Sequence, residues 1–78
     1  MASQNDTYTA TGTEGTIITR LALLNQVILL LYKGNAPLQQ VTTAPTPSQF
    51  MFNSVTAQIT FGSSLNANNV IQTIYRSV

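Results

Sequence analysis

Residues 16–32 run Thr-Ile-Ile-Thr-Arg-Leu-Ala-Leu-Leu-Asn-Gln-Val-Ile-Leu-Leu-Leu-Tyr, an apolar stretch that any fold of this chain has to cover. Taken with a helical period, Ile17, Leu21, Leu24, Ile28 and Leu31 alternate by four and three residues, the d-a-d-a-d spacing of a heptad seam. The f positions Thr19, Gln26 and Lys33 make one polar stripe, and most of the remaining circumference is apolar. An ordinary surface helix carries an apolar stripe only somewhat wider than about 100°. A helix this apolar needs cover on two sides. The ends support the same reading. Thr11-Gly12-Thr13-Glu14 has capping-box spacing, Lys33 complements the helix dipole, Gly34 sits at the C-cap and Pro37 blocks continuation. The pattern predicts a helix over residues 14–33, about 30 Å long. Its seam residues Ile17, Leu21, Leu24, Ile28 and Leu31 form the expected oligomer interface, with a trimer favoured by the wide apolar arc. Arg20 and Asn25 flank that seam.

The rest of the chain is organised around this element. Thr7, Thr9, Thr11 and Thr13 alternate with Tyr8, Ala10 and Gly12, which suits an extended arm over residues 1–13, free or added to another chain's sheet edge. Three prolines make residues 35–48 an extended connector. Residues 49–78 form the β-rich part. Val55, Ala57, Ile59 and Phe61 alternate with polar residues, while Phe50 and Phe52 have the opposite parity, so a turn or bulge is expected near Asn53-Ser54. Residues 65–78 fit strand or helix, with a lean to a short helix from Asn68 to Arg76. The expected class is therefore α+β in one small domain, residues 1–78: an arm, a long oligomerising helix, a Pro-rich connector and a small antiparallel β segment. Tyr8, Phe50, Phe52 and Tyr75 are the expected partner-binding aromatics.

Composition removes most chemistry. Three basic and two acidic residues are the only charges, and His, Cys and Trp are absent. An average domain of this length would carry roughly 20 charges. Catalytic, cofactor-binding and metal sites are all expected to be none. Asp6 and Glu14 have no His or Cys partner, and the glycines form no phosphate-binding loop. Three scattered cations make a poor nucleic-acid surface. The polar N-terminal residues are not expected to act as a secretory signal. A chain this short buries only about 60–65% of its unfolded surface, and with no disulfide it is expected to be stabilised by partner subunits. Net charge +1 lets identical copies approach with little repulsion.

A charge-poor chain rich in Thr, Asn, Gln and Ala and without Cys or His, with a Thr-rich arm, one expected oligomerising helix and the β-prone run Phe50-Met-Phe-Asn-Ser-Val-Thr-Ala-Gln-Ile-Thr-Phe61, resembles small structural proteins of tailed-bacteriophage virions. Capsid decoration (cement) proteins and head-fibre bases are the types it is similar to. That resemblance implies a self-associating protein seated on a capsid surface, with the major capsid protein or another virion protein as partner, and a virion location. A tail, connector or fibre adaptor is the alternative within that setting. A small membrane-associated protein using residues 16–32 is the alternative outside it. Arg20, Asn25 and Gln26 make a bilayer span costly, so a membrane is the less favoured partner.

Overall fold

The long apolar stretch does not form a helix. In the computed structural model, which describes residues 3–77, it is divided between strand β2 (Ile17–Thr19), a single 3₁₀ turn at Leu21–Leu23, and strand β3 (Gln26–Lys33). The other strands are β1 (Gln4–Thr9), β4 (Ala36–Gln40), β5 (Gln49–Asn53), β6 (Gln58–Phe61) and β7 (Val70–Ser77). The expected α+β class, the helix over 14–33 and its coiled-coil seam are therefore corrected to an almost wholly β architecture. The first two residues of the expected arm and Val78 lie outside the described residues.

Local chemistry accounts for the outcome. Asn25 takes a left-handed φ of 59°, which ends the 3₁₀ turn and starts a new direction for Gln26. Gly34 is no helix cap. With φ 65° it occupies the first position of the two-residue turn Gly34-Asn35, whose hairpin is closed by the pair Lys33 and Ala36. The next pair, Tyr32 with Pro37, falls where an antiparallel ladder makes no bond, so the proline N costs β3–β4 nothing. The supposed connector thus begins as strand β4. The supposed short helix 68–76 is strand β7, whose Ile71, Thr73 and Tyr75 are all buried.

The strands form one sheet in the order β1-β7-β3-β4-β5-β6-β2. All neighbours are antiparallel except β4 and β5, which pair in parallel over two positions only, Gln39 with Gln49 and Gln40 with Phe50. The N-terminal arm is the edge strand β1 of its own chain's sheet, Gln4 to Thr9 lying against Tyr75 to Val70. The sheet curls so far that its two edges meet. Arg20, which directly follows edge strand β2, donates from Nε and Nη2 to both carboxylate oxygens of Asp6 in edge strand β1, at 2.8 and 2.9 Å.

The core inside the curl comprises Ala10, Ile18, Leu23, Ile28, Leu31, Phe50, Ile59, Phe61, Leu65, Ile71 and Tyr75. A radius of gyration of 11.4 Å agrees with the ~11.5 Å expected of a compact chain of this length. Its accessible surface of 4622 Å² is likewise that of an ordinary monomer of its mass, about 4600 Å². Compactness is reached without a partner's cover.

Among the described residues one core position is polar. Thr73 is 1% exposed, and its hydroxyl has no hydrogen-bond partner among the described residues. An orphaned buried hydroxyl costs of order 1–3 kcal/mol. Thr73→Val keeps the shape and removes the orphan, so urea unfolding should show a gain of about 1 kcal/mol. A loss of stability would mean that Oγ1 is in fact bonded.

Candidate interaction surface

With the core closed, six large apolar side chains remain exposed among the described residues: Ile17, Leu21, Leu24, Leu29, Leu30 and Val55. Three of them share one end of the molecule. The segment Arg20 to Asn25 lies along the β5–β6 turn, because the Arg20 amide donates to the Ala57 carbonyl and the Asn25 amide to the Ser54 carbonyl, both at 2.9 Å. Leu21 and Leu24 belong to this segment, and Val55 to the turn it lies along. Leu21 and Val55 are each 76% exposed and Leu24 42%. Leu23, between the two exposed leucines, is wholly buried and anchors the turn in the core.

Backbone geometry makes this division. A 3₁₀ turn places successive side chains about 120° apart, so Leu21 and Leu24 eclipse each other while Leu23 faces away. Leu24 N donates to the Leu21 carbonyl at 3.1 Å, which closes the turn.

A charged cluster fixes the segment that leads into the clamp. Besides its bidentate bond to Asp6, the Arg20 guanidinium sits 5.0 Å from the centre of the Tyr8 ring, within cation–π range. Asp6 holds the Arg20 pKa above its ordinary value. The Tyr8 hydroxyl donates to Glu14 Oε2, and the amides of Thr11 and Gly12 donate to the same carboxylate at 2.7 and 3.0 Å. These donors, Tyr8 first, hold the Glu14 pKa down at about 2, and the same bond raises that of Tyr8. Four of the molecule's polar anchors, Asp6, Tyr8, Glu14 and Arg20, are therefore occupied in tying β1 to the chain just before Leu21. The capping-box spacing of Thr11 and Glu14 is satisfied by a loop instead of a helix.

The residues expected to act together are separated. Of the five seam positions, Ile28 and Leu31 are buried in the core, Leu21 and Leu24 lie at the apolar end, and Ile17 faces outward from β2. Of the four expected partner-binding aromatics, Phe50 and Tyr75 are buried, Phe52 packs against the core, and Tyr8 belongs to the charged cluster. The Tyr75 hydroxyl donates to Gln4 Oε1 at 3.0 Å, so even its polar tip is used internally. Val55 was missed as a surface residue. Its signal was the run Asn53-Ser54-Val55, where the Asn53 side chain accepts from the Val55 amide in a local turn and leaves the valine at the tip.

A second exposed pair, Leu29 and Leu30, arises at a β-bulge where β3 slips against β7 between Ile28 and Leu30. Leu30 stands opposite Ile74 on the outer face. Among the described residues there is no group of three side chains able to hold a metal, and no helix is long and apolar enough to cross a membrane. The helical reading of residues 16–32 as a span falls with the helix. No protein-family model matches this chain, and neither the curated proteins nor the solved structures give a match.

Proposed function

We propose that this chain is a small structural subunit that works by association, first with copies of itself through the Leu21, Leu24 and Val55 end, and then with a larger protein assembly. A virion surface, where it would act as a decoration or cement protein beside the major capsid protein, is the setting its composition resembles. The observation that carries the reading is the apolar end itself. A closed core and a monomer-like surface area leave no internal need for Leu21 or Val55 to be apolar, and both stand 76% exposed. Net charge +1, with Asp6 and Arg20 paired to each other, keeps long-range repulsion between copies small. Many modest, uncharged contacts repeated over a lattice give avidity with little dependence on salt.

The trimer expectation rested on the heptad seam. Self-association is instead proposed through the turn end, where identical patches can meet across a two-fold axis. The test is sedimentation equilibrium of the intact chain against a variant carrying Leu21→Asp and Leu24→Asp. Both side chains are exposed, so the circular dichroism spectrum should be unchanged while the self-association constant falls at least about tenfold. A wild-type chain that stays monomeric at millimolar concentration would overturn the reading.

A further inference from the structure

The outer face of β5 and β6 carries a trough with a volume of about 520 Å³, within the ordinary range for ligand sites. Its origin is the short β4–β5 pairing. After Gln40 and Phe50 the ladder ends with the Val41 amide donating to the Phe50 carbonyl at 2.8 Å, and the chain at Val41 and Thr42 then departs from β5. The departing chain forms one bank, and β5 and β6 form the floor.

Register shows what the floor presents. Phe50, Phe52, Ile59 and Phe61 face the core, so their neighbours Met51, Asn53, Gln58 and Thr60 face the trough. They stand in two rows, Met51 beside Thr60 and Asn53 beside Gln58, which β2 continues with Ile17 and Thr19 respectively. One row is thus mainly apolar and the other wholly polar. Gln40, Thr42, Gln58 and Thr60 make no side-chain hydrogen bond within the described residues, and Asn53 uses only its oxygen, for the Val55 amide. The backbone adds to this. The Phe50 carbonyl points toward β4, and strand alternation aims the amide and carbonyl of Phe52 the same way, beyond the last paired position.

We infer that this trough is a binding site for a neutral, hydroxyl-rich ligand of the uncharged oligosaccharide class. No Asp, Glu, Lys or Arg lines it, so neither an anion nor a cation finds a counter-charge there. Amides and hydroxyls both donate and accept, which matches sugar hydroxyls, themselves donor and acceptor at once. The Met51 thioether supplies a soft apolar surface for the C–H face of a pyranose ring. A peptide strand is disfavoured, because Phe52 offers a single free donor–acceptor pair and strand addition needs a ladder of several. The site adjoins the apolar end at Asn53 and Ser54 but does not include Leu21, Leu24 or Val55, and it would exist in the monomer.

The test is titration of the ¹⁵N-labelled intact chain with maltohexaose, cellohexaose and N-acetylchitotetraose, followed by amide and side-chain NH₂ shifts. At least one saccharide should move resonances of residues 40–42, 51–54 and 58–60, including the side-chain amides of Gln40 and Gln58, with Leu21 and Leu24 undisturbed. Gln58→Ala combined with Gln40→Ala, both exposed positions, should weaken that binding about tenfold with the fold unchanged. Affinity should be the same at low and about 0.5 M salt. Three results would each overturn the inference: no response to any of the saccharides, shifts confined to another face, or tighter binding in the trough by a heparin oligosaccharide or an extended peptide.

Discussion

Phe50→Ala should bring this protein close to unfolding, lowering its stability in urea by about 3–5 kcal/mol. Phe50 is 2% exposed and stands opposite Phe61, itself 3% exposed, across the β5–β6 hairpin. It is also one of the two β5 residues paired with β4, and its carbonyl accepts from Val41. Truncation would therefore open a cavity where the two halves of the curled sheet join. A chain of this length has a total stability of only about 4–12 kcal/mol. The comparison that gives the measurement its meaning is Val55→Ala, at a position 76% exposed, which should stay within about 0.5 kcal/mol of wild type. Both residues come from one apolar, β-prone run, and only the fold distinguishes them. Phe50 was expected at a partner-binding surface. A loss below about 1 kcal/mol for Phe50→Ala would favour that placement over the core.

The reason so much apolar sequence looked helical lies in two particular devices. At the β-bulge an extra residue enters β3, so the inward side chains Ile28 and Leu31 stand three apart instead of two. Three-residue spacing is also the mark of a helix, and a bulge inside a central strand counterfeits it. The 3₁₀ turn does the same for Leu21 and Leu24, which share a side through its own three-residue period. In β7 the confusion was chemical. Thr73 occupies an inward position, so the buried set Ile71, Thr73 and Tyr75 does not read as an apolar alternation. What the sequence did carry was the alternation of the N-terminal arm and the parity change at Asn53-Ser54, where the Ser54–Ala57 turn lies. It also carried a missed hairpin signal. Gly34-Asn35 follows the six-residue apolar run Val27–Tyr32 and its flanking Lys33, and Gly-Asn between strands is a recognised two-residue turn. The apolar end was legible only as composition, because which leucines are exposed depends on the clamp between Arg20, Asn25 and the β5–β6 turn. The trough was not legible at all. It follows from the early end of a parallel pairing, a long-range event that local patterns do not encode.

Gly62→Ala should be the most damaging single-methyl change in the chain. The backbone at Gly62 has no need of a left-handed conformation, so its requirement is for space alone. A Cβ built there would overlap the Thr46 carbonyl oxygen and carbon and lie 2.7 Å from the Pro45 carbonyl oxygen. These are backbone atoms with little freedom to yield. The Thr46 carbonyl accepts from the Gln49 amide at 2.9 Å while the Thr46 amide donates to Gln49 Oε1 at 3.0 Å, a reciprocal lock at the entry to β5. Overpacking of this kind costs about 1–3 kcal/mol, and the upper end is expected where neither neighbour can rotate away. Gly15→Ala is the informative control. A Cβ at Gly15 meets nothing within 4 Å, but its φ of 70° imposes a backbone cost of about 1 kcal/mol. Urea unfolding should therefore rank Gly62→Ala as the larger loss, with amide shifts of residues 45–49 displaced even in the folded variant. If the two glycines prove equal, or the order is reversed, the Pro45-Thr46 segment does not rest against the end of β6. The loop that forms the bank of the trough would then be held beside β5 by the Val41–Phe50 and Thr46–Gln49 bonds without support from the end of β6.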